Sequence, residues 1–230
     1  PGLATANQGM DVVTYTGNGG TTTISSLAFQ PDFVWIKKRN SSYYGDHMLY
    51  DVVRGATQVL KSDSSAAEIG DASTLYAFNS DGFSVGGGWE TNKSSDTFVA
   101  WAWKAGGAAS SNTDGTITSS VSANNTYGFS IVSFTDGGSA CTVGHGLSSA
   151  PKMIWAKFRG ATGNWSVYHE ATGNDHRLKL NLSDAKQSGN DWWNDTSPTS
   201  SVLSLGSNLV ASTTQIAYCW SEIAGFSKFG

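Results

Sequence analysis

The apolar residues of this chain come in short runs of alternating character, separated by Gly, Asn, Asp and Pro, and that pattern predicts strands. The clearest run is Val99-Ala100-Trp101-Ala102-Trp103, in which Val99, Trp101 and Trp103 share one face and Ala100 and Ala102 the other. Ile216-Ala217-Tyr218-Cys219-Trp220 repeats the arrangement, so a bulky face opposes a small one twice. Phe33-Val34-Trp35-Ile36 is apolar on both faces and gains Lys37, Lys38 and Arg39 only towards its end, as expected of an inner strand whose Trp35 packs in the core. Helical periodicity is absent almost everywhere. Ser64-Ser65-Ala66-Ala67-Glu68, where a Ser could cap one turn, is the strongest helical candidate.

These runs recur. Phe33-Val34-Trp35-Ile36-Lys37-Lys38-Arg39 after Pro31-Asp32 returns as Met153-Ile154-Trp155-Ala156-Lys157-Phe158-Arg159 after Pro151-Lys152. Val12-Val13-Thr14-Tyr15-Thr16 returns as Ile131-Val132-Ser133-Phe134-Thr135, and the run around Phe83 and Val85 as Leu203-Ser204-Leu205-Gly206. With the two closing strands, four blocks match in one order, which marks a duplication. The Gly/Ser-rich stretch from Gly106 to Gly115 reads as a flexible connector, and Thr116 to Asn125 as a further strand. The expected organisation is therefore all-β, two tandem antiparallel β-sandwich units with little helix. They span residues 1–110 and 111–230, are of sandwich or jelly-roll type, and pack side by side.

Composition narrows the partners. Charged residues are 14% of the chain, against roughly 25% in an average soluble protein, and the net charge is −4. No stretch gathers Lys and Arg, so a phosphate backbone finds no electrostatic footprint and nucleic acid is not expected as a partner. No apolar run approaches the length of a membrane-spanning helix, so membrane insertion is not expected either. The opening Pro1-Gly2-Leu3-Ala4 lacks the features of a leader and suggests an excised fragment. Cys219 stands where the first copy has Ala102, which favours packed, free thiols over a bridge between Cys141 and Cys219.

The chain shows no reactive constellation in its sequence. Asp46, Asp51, Asp63, Glu68, Asp71, Asp81, Glu90 and Asp96 lie mostly in Gly/Ser/Asn loops at no spacing that suggests a glycosidase pair. His47, His145, His169 and His176 fit no metal-ligand pattern, and Gly144-His145-Gly146 reads as a tight turn. No nucleophile elbow or phosphate loop is present. The chain is therefore not expected to be an enzyme or to carry a cofactor or metal. Aromatic residues in polar loops are left as binding candidates: Tyr43, Tyr44 and His47, Trp89 in a Gly-Gly-Gly-Trp-Glu loop, and Trp192 and Trp193. Trp165 is placed at a strand start.

Leu49-Tyr50-Asp51-Val52-Val53-Arg54-Gly55 and Phe98-Val99-Ala100-Trp101-Ala102-Trp103-Lys104-Ala105-Gly106-Gly107 resemble a functionally poorly described repeat domain of tail-fibre and other structural proteins of marine tailed bacteriophages. So do Asn164-Trp165-Ser166-Val167-Tyr168-His169 and Ile223-Ala224-Gly225-Phe226 in the second copy. The resemblance implies a virion component with a lectin-like sandwich in a trimeric fibre or other exposed structure, contacting a host-surface glycan or protein receptor and other virion proteins. It carries no catalytic residues across. A non-binding spacer or capsid/fibre decoration, and a polysaccharide depolymerase, are the competing expectations. If the duplication builds the scaffold, recognition is to be sought in the loops that the copies do not share.

Overall fold

The computed structural model describes residues 6–40, 45–189 and 191–230, so the candidates Tyr43 and Tyr44 lie outside the described residues. The chain is all-β and divides into two compact units. One comprises residues up to Asp63 together with Glu68–Ala105, and the other Gly106–Gly230 together with Ser64–Ala67.

The first unit holds β1 (Met10–Thr16), β2 (Thr22–Ile24), β3 (Phe33–Lys38), β4 (Met48–Asp51), β5 (Gln58–Lys61), β6 (Ile69–Gly70), β7 (Leu75–Asn79), β8 (Gly82–Val85) and β9 (Thr97–Trp103). They form a six-stranded antiparallel sheet in the order β1-β9-β3-β4-β5-β6 and a three-stranded one in the order β2-β8-β7. Val34, Ile36, Met48, Val59, Phe98 and Ala100 from the larger sheet share one buried core with Ile24, Leu75, Phe83 and Val85 from the smaller. The small face of β9 is thus the core face, while Val99, Trp101 and Trp103 are half-buried on the other.

The second unit holds β10 (Ser110–Asn112), β11 (Ser119–Asn124), β12 (Phe129–Thr135), β13 (Cys141–Gly144), β14 (Met153–Phe158), β15 (Ser166–His169), β16 (His176–Lys179), β17 (Gln187–Ser188), β18 (Val202–Leu205) and β19 (Thr214–Trp220). Eight of these make one sheet in the order β10-β11-β12-β19-β14-β15-β16-β17, and β13 pairs with β18. Its core joins Val132, Ile154, Tyr168 and Ala217 to Val143, Leu203 and Leu205.

The ladders of the two units superpose in register. Met10, Phe33 and Trp103 sit opposite one another as do Phe129, Met153 and Trp220, which equates Val13 with Val132, Ile36 with Ala156, and Phe98 with Gln215. Through β4 and β15 the correspondence extends to Met48 with Ser166 and Lys61 with Lys179, hence Val59 with Arg177.

Three sequence expectations change. The stretch read as a flexible connector contains β10, which pairs with β11 as a hairpin laid against β12; Asn112 closes an Asx turn onto the N–H of Asp114, so polar side chains shape the hairpin rather than loosen it. Ser64–Glu68 forms no helix, although the Ser64 hydroxyl accepts the N–H of Ala66; the capping bond forms without the turns that would make it pay. After α1 (Ala6–Gly9), a further short helix, α2 (Trp89–Asn92), carries Trp89; the sequence hides it because three glycines precede it. At the β11–β12 hairpin, Gly128 at φ +65° is required, since a Cβ there would stand 2.5 Å from the carbonyl oxygen of Ser221.

Candidate functional site

A polar recess of about 100 Å³ opens in the second unit where β14, β15, β16 and β19 meet the segment that carries Asn208 and Leu209. Its lining includes Ala156, Ser166, Arg177 and Gln215. In the first unit the register-equivalent residues are Ile36, Met48, Val59 and Phe98, every one of them buried in the apolar core. Four large apolar groups are thus replaced by two small side chains, a cation and an amide on the same face of the same strands. Placing a guanidinium and an amide where a core would otherwise close costs stability unless hydrogen bonds satisfy them, and here they do so only in part.

Arg177 donates from Nε to the Gln187 side chain at 3.0 Å and from Nη1 to the Ser166 hydroxyl at 3.1 Å. Its guanidinium lies 3.3 Å from the centroid of the Trp192 ring, a stacked cation–π arrangement. Burial lowers its pKa, and no ion pair joins it to a carboxylate among the described residues. Gln215 is fixed from behind: its Nε2 donates to Asp136 at 2.7 Å and to the Leu209 carbonyl at 2.8 Å. Burial pushes the Asp136 carboxyl up, but donation from Gln215 and from the N–H groups of Gly138, Ser212 and Ala211 outweighs this and holds it below the usual carboxylate range. Asn164 accepts from Asn181 through its side-chain oxygen at 2.8 Å.

Trp192 reaches Arg177 because of the turn Asp191–Asp195, in which Asn194 and Asp195 adopt left-handed φ of 52° and 46°. That turn packs onto Gly206, where a Cβ would stand 2.3 Å from the Asp191 carbonyl oxygen, and the Gly206 N–H donates to Trp192. The adjacent rings consequently part company. Trp193 is buried in the core, donating from its indole nitrogen to the His176 carbonyl and meeting Tyr168 edge-on, whereas Trp192 is half-buried beside Arg177. The expectation that both are loop receptors is corrected for Trp193, because the turn sends the two neighbouring rings in different directions and Trp193 goes into the core.

Among the other candidates, Trp89 is 52% exposed on α2, with the Lys93 ammonium 5.4 Å from its ring centroid. His47 is half-buried and serves the scaffold: its Nδ1 accepts the Trp35 indole N–H at 3.0 Å, and burial lowers its pKa. His47 and Trp89 belong to the first unit, Trp192 and Trp193 to the second. Asp51, the last residue of β4, is fully buried, pairs with Arg54 and accepts the N–H groups of Val53 and Arg54, so it shapes the turn that follows. His145 is likewise buried, accepting the Leu147 N–H and facing the Thr199 carbonyl. Among the described residues no group of three or more His, Cys, Asp or Glu could hold a metal ion. Trp165, placed at a strand start, is fully buried immediately before β15.

Arg177, Ser166 and Gln215 escaped the sequence reading. For Gln215 a signal was nevertheless present: extending the match of the closing strands by one residue sets Phe98 against Gln215.

No curated protein and no solved structure matches the chain. One family model does, over residues 6–230, and its description is a domain of unknown function, DUF7483. On that match, which takes in both units and the whole of the recess, the chain belongs to the DUF7483 family.

Proposed function

We propose that this chain is a receptor-binding module of a bacteriophage virion, in a trimeric tail fibre or other exposed structure, that holds a glycan of the host cell surface in the recess of its second unit. With this goes the finer reading of each unit as a lectin-like, jelly-roll sandwich. The virion setting rests on the resemblance of its sequence blocks to phage structural domains. The binding role rests on one observation: at four equivalent core positions the first unit is apolar, whereas the second has Ala156, Ser166, Arg177 and Gln215. Polar groups that converge on a concavity are what fixes the orientation of a small ligand. Amide and hydroxyl residues and the cationic Arg177 and Lys157 line it with no carboxylate among them, which suits holding a sugar; hydrolysis needs a carboxylate pair across the bond.

The test is retention of the 230-residue chain on host envelope polysaccharide or a glycan array, compared with Trp192→Ala, Trp89→Ala and the double variant Ser166→Met/Arg177→Val, which restores the first unit's residues. Wild type and Trp89→Ala should bind, and the double variant should not. Loss in Trp89→Ala alone would move the site to the first unit, and absence of binding by wild type would leave a spacer as the better description.

A further inference from the structure

Resting on that glycan-binding reading, we propose that the recess receives the carboxylate of an acidic sugar residue of the uronic acid class, with Arg177 as its counter-charge. The argument starts from what Arg177 lacks. Its Nε and Nη1 are committed to Gln187 and Ser166 and its face to Trp192, while Nη2 has no protein acceptor among the described residues. A guanidinium is built for planar, two-pronged pairing with a carboxylate, and one that is half-buried without any carboxylate partner is poised for an external one. The carboxylate held by another lining residue, Asp136 on Gln215, already accepts from Gln215 and from the N–H groups of Gly138, Ala211 and Ser212.

Size and lining agree. A recess of about 100 Å³ has room for a carboxylate. Asn164, Ser166 and Asn208 supply neutral donors for the second carboxylate oxygen or adjacent hydroxyls. A neutral sugar could use those donors too, yet it would leave the guanidinium desolvated and uncompensated. A broader groove of the second unit, about 420 Å³ along Ile117–Ser120, Ser133 and Thr214, offers hydroxyls and no charged side chain.

The experiment is a two-dimensional NMR titration of the full chain with sodium glucuronate, glucose and sodium sulfate at matched ionic strength, following the Trp192 indole N–H. Glucuronate should perturb that signal with an affinity about tenfold or more above that of glucose, in line with the strength of charge-assisted hydrogen bonds. Arg177→Met, which keeps the aliphatic stem, and Arg177→Val, which carries the first unit's own residue, should each abolish the difference. If sulfate binds and glucuronate does not, the site is an oxyanion site and the acidic-sugar inference is overturned. If glucose and glucuronate bind equally and Arg177→Met changes neither, the glycan reading survives and the acidic-sugar inference is overturned. If none of the three perturbs the indole signal, both readings fall.

Discussion

Lys157 sits on β14 with 1% of its surface exposed, and its ammonium donates only to the backbone carbonyls of Phe158 and Ala161. Its register equivalent, Lys37, also donates to a loop carbonyl, that of Gly45, so a lysine here ties down the strand exit in both units. Burial lowers the Lys157 pKa to about 8 from its ordinary 10.5. The unfolded chain therefore keeps a proton that the folded chain releases between those values. The cost to stability is complete below pH 8 and fades as pH rises towards 10.5, a depressed lysine being the reverse of the common ion-paired case. A shift of this size corresponds to about 3 kcal/mol at most. Lys157→Met should consequently raise the urea midpoint at pH 7, and the gain in stability that wild type shows between pH 8 and 10 should vanish. A lower midpoint at pH 7 would mean that the two carbonyl contacts outweigh the burial of charge.

At the scale of elements, β1 and β12 are the same strand in different company. Ile131 in β12 is fully buried and β12 is flanked by β11, whereas the equivalent Val12 is 46% exposed on β1, the edge of its sheet. The outward N–H of Val12 is occupied by the Asp11 side chain at 2.8 Å, and a charge on an edge strand discourages pairing with another chain. Asp11→Val should therefore increase concentration-dependent association, read by light scattering, with little change in thermal midpoint. The closing strands were legible because alternation of Trp and Ala leaves one possible periodicity, and the Trp35 and Trp155 strands because Pro and charged exits bracket them. β10 was not, since Ser-Ser-Asn has no hydrophobic pattern and is fixed by what it pairs with. Arg177 was illegible for a related reason. Gln58–Lys61 and His176–Lys179 share only the dipeptide Leu-Lys, too short a match to mark a repeat, and it is the ladder through β4 and β15 that sets Val59 against Arg177.

For the whole molecule, the two units provide an internal comparison of a core kept and a core opened. Recognition was sought in the loops that the copies do not share, and Trp192 does come from such a loop. The recess itself lies at positions that the copies share in place but not in chemistry. If the opening serves binding, closing it should stabilise: Ser166→Met/Arg177→Val should raise the thermal unfolding midpoint by a few degrees, equivalent to about 1 kcal/mol or more, while binding is lost. A fall in the midpoint would show that Trp192 and Gln187 depend on Arg177 more than the core gains from filling.

The two thiols, buried or half-buried and unbridged, bear on how such experiments can be done. Burial pushes Cys219 up to about 12 and Cys141 up to about 11. At neutral pH the reactive thiolate is then on the order of one part in ten thousand or less for either. A maleimide dye should leave the native chain essentially unmodified on the timescale that labels an exposed cysteine. Trp89→Cys would thus offer a single addressable handle with both native cysteines in place, allowing fluorescent tracking of the protein on intact cells without a cysteine-free background.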